Sequence, residues 1–229
     1  DTALALAKTY DHLANSSKAR QLYNEAISLY QKEQYDLGHA NALLDLGDME
    51  SRLSNVERAR ALYDEAGSLY EKAQDDLGRA NALKALGFLE SIMGDIESAR
   101  TLYNKAIDLY QKEHAGLNHA NALQALGDLE KRFGDAKWAR ALFQEAESIS
   151  QKQQYDLGRA NALHALGDLE SMQGDVESAC ALYGEAIDLY QNEHADLGRA
   201  NVMQSLADLF SQVGRSADAF NLYTAALEI

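Results

Sequence analysis

The sequence predicts an all-α fold, a solenoid of six stacked helix-turn-helix units, on three observations. A phrase returns every 40 residues. Inside each copy the apolar residues step by three and four, the spacing of one helical face. None of the 229 residues is proline, whose ring would remove a backbone donor and clash with the preceding helical turn.

The period is read directly. DLGRANALKALGFLESIMGD, from Asp76 to Asp95, comes back as DLGRANALHALGDLESMQGD, from Asp156 to Asp175. The landmark Asp-Leu-Gly falls at Asp36, Asp76, Asp156 and Asp196, with Gly116-Leu117-Asn118 as its variant. A fixed period of this size is the signature of a repeat array. It divides the chain into copies at about 1–36, 37–76, 77–116, 117–156, 157–196 and 197–229, a single array over 1–229. The chain opens at Asp1, and its last copy stops at Ile229 without a polar capping helix. An excerpt of a longer protein is therefore expected.

The third copy shows each element in order. Asp76 is placed to cap a first helix, and Leu83, Leu86 and Leu89 line its apolar face. Gly94 is placed to end that helix left-handed, and Asp95 to cap the next. Ile96, Ala99, Leu102, Tyr103, Ala106, Ile107 and Tyr110 then line one face of a second helix. Small residues recur where helices must approach: Gly47, Gly87, Gly127 and Gly167 in first helices, Ala59, Ala99, Ala139 and Ala179 in second ones. A bulky side chain there would overpack the contact, at about 1–3 kcal/mol.

Composition excludes several function classes. An apolar content of 46% is that of a folded chain. The net charge of −15, with 36 acidic against 21 basic residues, repels a phosphate backbone, so nucleic acid is not an expected partner. No apolar run has the length of a membrane span. The one cysteine, Cys180, forms no internal disulfide, and a reducing, cytoplasmic setting is the expectation. It stands where other copies have Arg20, Arg60, Arg100 and Arg140, and reads as a substitution on an exposed helix start. His39 and His119 replace the arginine of Arg79, Arg159 and Arg199, and His114 and His194 lie in inter-repeat turns, so no metal or cofactor is expected. With no activated nucleophile and no phosphate-cradling loop, catalysis is not expected either.

Leu86, Gly87, Ala99, Tyr103 and Ala106, with Ala7 and Ala207 for the glycine in the end copies and Phe143 for the tyrosine in the fourth, resemble the tetratricopeptide repeat. Two features depart from that family: the proline near the end of the second helix is missing, and the unit has 40 residues instead of 34. Forty-residue versions resemble those of spindle-orientation adaptors, and ANALKALGDLE-like phrases resemble the repeats of NLR-like signalling ATPases. The resemblance implies a right-handed superhelix whose first helices line a concave groove.

Carried over position by position, the groove has three rows of candidate ligand contacts. The first is Asn41, Asn81, Asn121, Asn161 and Asn201; the second is Leu44, Lys84, Gln124, His164 and Gln204; the third is Asp48, Phe88, Asp128, Asp168 and Asp208. Steps of three and four put them on one helical face. The asparagines read either as a ladder gripping an extended peptide or as side chains that bond neighbouring backbone. The second row varies most between copies and reads as the specificity row. The aspartates read either as a groove for Lys- or Arg-containing segments or as a solvated face, with Phe88 and Leu44 as a pocket for an apolar anchor. A carboxylate clamp is not expected, because only Lys8 and Lys84 are basic in the two variable rows. The expectation is a non-enzymatic scaffold binding a peptide or protein. Its alternatives are a structural spacer that self-associates through uncapped terminal repeats, and the sensor region of a larger signalling ATPase.

Overall fold

The computed structural model describes residues 2–229. All regular structure among them is α-helical. In the compact unit Asp1–Ala115 three hairpins are formed by α1 (Thr2–His12) with α2 (Ser16–Lys32), α3 (Asp36–Arg52) with α4 (Val56–Ala73), and α5 (Asp76–Met93) with α6 (Ile96–Lys112). In the unit Gly116–Ile229 three more are formed by α7 (Gly116–Phe133) with α8 (Ala136–Lys152), α9 (Asp156–Gln173) with α10 (Val176–Asn192), and α11 (Asp196–Gln212) with α12 (Ser216–Leu227).

The missing proline is answered by the turns, which are all alike. Each holds one left-handed residue: Ala14, Ser54, Gly94, Gly134, Gly174 and Gly214 within hairpins, Gln34, Gln74, His114, Gln154 and His194 between them. Each is also closed by a backbone bond spanning five residues, from Asn15 N to Tyr10 O through to Arg215 N to Phe210 O. This is the Schellman closure, which satisfies helix-end carbonyls while reversing the chain. Gly94, at φ 84°, ends α5, and the Asp95 side chain accepts from Ser98 N at the start of α6. One expectation is corrected. The residue that caps α5 is Asp75, which accepts from Gly78 N, while Asp76 is already inside the helix and pairs with Lys112 of α6.

Tyrosine rings over glycine set the distance between helices. A Cβ on Gly47 would lie 2.5 Å from the Tyr63 ring, and one on Gly127 2.5 Å from the Phe143 ring. Ala59, Tyr63, Ala66 and Tyr70 of α4 are all buried, with Leu86 and Leu89 of α5 on the far side of the same cluster. Each hairpin thus leaves an apolar face that only the next one covers.

Those interfaces also bury charge. Glu50 is fully buried in α3 and accepts from Arg20 of the preceding hairpin, Nε to Oε1 at 2.6 Å and Nη2 to Oε2 at 2.9 Å. Asn55 donates to it at 2.7 Å, and these partners hold its carboxyl below the usual range, the Arg20 bond first. Arg60 repeats the pairing with Glu90 at 2.8 Å, and Arg140 with Glu170. The arginines at this position are therefore inter-repeat partners, which corrects the reading of Cys180 as lying on an exposed helix start: it is half-buried inside α10. Thirty residues on, where the other copies have glutamate, stands Phe210, so donor and acceptor have been lost together.

Replacing Arg140 by Ala leaves Glu170 buried without its bidentate partner. A loss of about 2 kcal/mol is expected by urea unfolding, less than a fully buried pair because Arg140 is partly exposed. Cys180→Arg and Phe210→Glu should each destabilise alone and together recover about 1 kcal/mol of coupling in a double-mutant cycle.

Candidate functional site

The geometry of each unit makes the first helices its inner face. α1 touches α3 and α3 touches α5; likewise α7 touches α9 and α9 touches α11. Second helices of successive hairpins make no such contact among the described residues. Helices that lie closer together line the inside of a curve. Every candidate residue read from the sequence lies on these first helices: Asn41, Leu44, Asp48, Asn81, Lys84 and Phe88 in the first unit, and Asn121, Gln124, Asp128, Asn161, His164, Asp168, Asn201, Gln204 and Asp208 in the second.

The asparagine row is tied to the second helix of its own hairpin. The Tyr70 hydroxyl donates to Asn41 Oδ1 at 2.6 Å, Tyr110 donates to Asn81 at 2.7 Å, and Tyr190 donates to Asn161. The bond runs to a tyrosine, a partner that neither sequence reading, peptide ladder or neighbouring backbone, included. It fixes which way the amide points: at Asn41 and Asn161, with Oδ1 engaged, the NH2 is left as the donor. The fourth copy departs, since Ser150 replaces the tyrosine and its buried Oγ reaches no partner.

The aspartate row is built the same way. Tyr63 donates to Asp48 at 2.7 Å and Tyr183 to Asp168 at 2.9 Å, while Tyr223 donates to Asp208. Removal from bulk water pushes the Asp48 carboxyl up, and the Tyr63 bond with Arg52 and Lys84 offsets this. Asp128 faces Phe143, which has no hydroxyl, and turns to Lys131 at 3.5 Å. Lys131 in turn reaches Asp168 of the next first helix at 3.1 Å. The tyrosines were legible only as core aromatics. Their constant offsets, fifteen residues from the aspartates and twenty-nine from the asparagines, were the available signal.

The variable row joins neighbouring first helices. Gln124 Nε2 donates to the Gly158 carbonyl at 3.0 Å, and His164 Nε2 lies 2.9 Å from Ser205 Oγ and 3.5 Å from Asp168. Leu44 packs into the core clusters around Tyr63 and Tyr70, whereas Phe88 keeps 52% of its surface exposed. Ion pairs also link first helices in the first unit, Lys8 with Asp45 at 2.9 Å and Arg52 with Asp11. The first unit carries 19 acidic against 13 basic residues and the second 17 against 8, so the second is the more acidic of the two. Among the described residues no group of His, Cys, Asp and Glu is arranged to hold a metal ion, and no helix is long and apolar enough to cross a membrane.

Burial pushes the His164 imidazole down, with Asp168 and Asp128 opposing and Lys131 reinforcing the shift. A histidine depressed in the folded state contributes stability that is complete above its unfolded value, ~6.5, and is lost as pH falls towards the folded one. His164→Gln should therefore lose less stability than the parent chain between neutral pH and pH ~5, as read by thermal melts across that range.

The tetratricopeptide repeat model matches residues 38–112, 79–152 and 158–229, and a second model of the same description matches 1–33. No curated protein sequence is significantly similar to the chain. Among solved structures it resembles BtubC from P. vanneervenii at a TM-score of 0.79 and 17% identity, covering 90% of this chain and 87% of that one. It resembles the Rap conjugation gene regulator of plasmid pLS20, solved with the Phr* peptide, at 0.72 and 14%, covering 99% and 72%. It also resembles a signal transduction ATPase with numerous domains and a tetratricopeptide repeat sensor from Pyrococcus horikoshii, at 0.78 and 15%, covering 98% of this chain but 37% of that one. With its repeats matched along nearly the whole length, the chain belongs to the tetratricopeptide repeat family.

Proposed function

We propose that the chain is a non-catalytic interaction scaffold whose first helices bind an extended peptide or protein segment. The observation that carries this reading is the tyrosine-oriented asparagine row. Asn41 and Asn161 each give Oδ1 to a tyrosine hydroxyl, so each NH2 is preorganised to donate to a backbone carbonyl. Preorganisation lowers the entropic cost of binding, and a main-chain grip is independent of the ligand's side chains. The resemblance to a regulator solved with a peptide is in keeping with it.

The ligand side chains fall on the other two rows. Asp128, Asp168 and Asp208 have a single facing ammonium, Lys131, shared between the first two. This favours Lys- or Arg-containing segments in the second unit. The exposed Phe88 offers a contact to an apolar side chain in the first. A second reading, the sensor region of a larger signalling ATPase, is favoured by the likeness to the Pyrococcus horikoshii protein. It uses the same face, with the peptide as its signal.

Peptides selected from a random library on the intact chain give the test, with affinities read by fluorescence anisotropy. Asn161→Ala should weaken every selected peptide by about fivefold to tenfold. Asp128→Asn, Asp168→Asn and Asp208→Asn together keep acceptors for the tyrosine hydroxyls while removing charge. That variant should weaken basic peptides and flatten their salt dependence. Unchanged affinity would sink the basic preference. If no peptide is selected and particle size rises with concentration, the self-associating spacer takes its place.

A further inference from the structure

Tyr23 breaks the pattern of the other paired tyrosines. Fifteen residues before Tyr63, Tyr183 and Tyr223 stands an aspartate that accepts the hydroxyl. Fifteen residues before Tyr23 stands Lys8, another donor. Tyr23 is 1% exposed, yet among the described residues its hydroxyl has no hydrogen-bond partner. It ends in a cavity of about 600 Å3 on the inner face of the first unit, walled also by Lys8, Asp11 and His12 of α1 and by Asp45, Asp48 and Arg52 of α3. Burial and the surrounding aspartates, Asp45 first, hold the phenol protonated. The cavity therefore has at its floor a donor that nothing in the protein satisfies and that water meets until a ligand supplies an acceptor.

The walls decide which acceptor fits. Lys8 is paired with Asp45 at 2.9 Å, Arg52 is paired with Asp11, and Asp48 accepts from Tyr63 and lies in the field of Lys84. The three carboxylates are set against Lys8 and Arg52 in the wall and Lys84 beyond it, with the His12 imidazole beside them. An incoming carboxylate would bring a fourth negative charge among three aspartates. An incoming ammonium or guanidinium would compete with Lys8 and Arg52, which are already in place. A neutral carbonyl oxygen meets neither penalty, and an N–H beside it would find unused lone pairs on the aspartates.

We propose that this cavity seats a neutral primary amide, the side chain of a Gln or Asn in a bound peptide. Its carbonyl oxygen accepts from Tyr23 O–H, and its NH2 donates to the carboxylate of Asp48. The assignment rests on the peptide-binding reading of the inner face and adds a side-chain preference to it. The volume lies within the range of ligand pockets, about 300–1,000 Å3, and leaves room for the backbone on either side of the amide.

The test titrates the intact chain with the capped tripeptides acetyl-Ala-Gln-Ala-amide, acetyl-Ala-Glu-Ala-amide and acetyl-Ala-Lys-Ala-amide at millimolar concentrations. Amide chemical shifts of α1 and α3 report occupancy. The glutamine peptide should produce saturable shifts, and Tyr23→Phe should weaken it about tenfold, the worth of one hydrogen bond. Tyr23→Phe should also melt with the parent chain, because its hydroxyl has no partner in the protein, whereas Tyr63→Phe should melt lower. Tighter binding of the glutamate or lysine peptide, equal binding by Tyr23→Phe, no saturable shift, or a lowered melting temperature for Tyr23→Phe each overturns the assignment. If library-selected peptides bind parent and Tyr23→Phe equally, the amide assignment alone fails. If the glutamine tripeptide saturates the cavity while no longer peptide binds, the extended-peptide reading fails instead.

Discussion

A stacked hairpin can bury a charge only if its neighbour supplies the opposite one, and the interfaces here rest on that condition. Glu50, Glu90 and Glu170 sit at the contacts between hairpins, and each draws its arginine from the hairpin before it. Apolar packing alone is indifferent to sliding, since one alanine-and-tyrosine surface resembles another. A buried carboxylate is not indifferent, because a displaced guanidinium leaves an uncompensated charge at several kcal/mol. The apolar faces supply the drive to stack, and the ion pairs fix the register.

The same logic places polar atoms on the inner face. A tyrosine ring is wanted over each glycine for its volume, but its hydroxyl then emerges among the first helices and requires an acceptor. Aspartate and asparagine supply it, and so they recur for a reason internal to the fold. The remaining atoms of those side chains, a second carboxylate oxygen or an amide NH2, are left towards the groove. One residue thus serves the stack with one atom and is available to a ligand with another. In the proposed reading, structural and binding roles are not alternatives at these positions.

Much of the architecture was legible in the sequence because the forces that set it are periodic. The 40-residue period, the step of three and four, and Gly94-Asp95 between helices each correspond to a geometric requirement, and the helices lie where these place them. What the sequence hid was pairing across distance. Arg20 read as the counterpart of Cys180 on an exposed helix start, and Glu50 was not singled out, since nothing local marks a residue thirty positions away as its counter-charge. Asp48, Asp168 and Asp208 read as an acidic row because the hydroxyls that occupy them belong to another helix. Gln124 and His164 read as variable and hence free, yet each bonds the next first helix. Variation there follows the neighbouring side chain as well as any ligand. Tyr23 was hidden most completely: only the absence of an acceptor separates it from its equivalents.

The uniform turns carry a consequence for how such a chain changes over generations. Every reversal uses one residue in the left-handed conformation and the same five-residue closure, so no junction is specialised to one place in the series. Misaligned recombination between the near-identical phrases at Asp76–Asp95 and Asp156–Asp175 would delete or insert whole multiples of the unit, in frame, at a junction indistinguishable from the one removed. Each arginine would still precede its glutamate by one hairpin. Length is therefore free to vary in quanta of one hairpin, while an insertion of half a unit would bring like charges into contact and be eliminated. The repeat is as much a unit of inheritance as of packing.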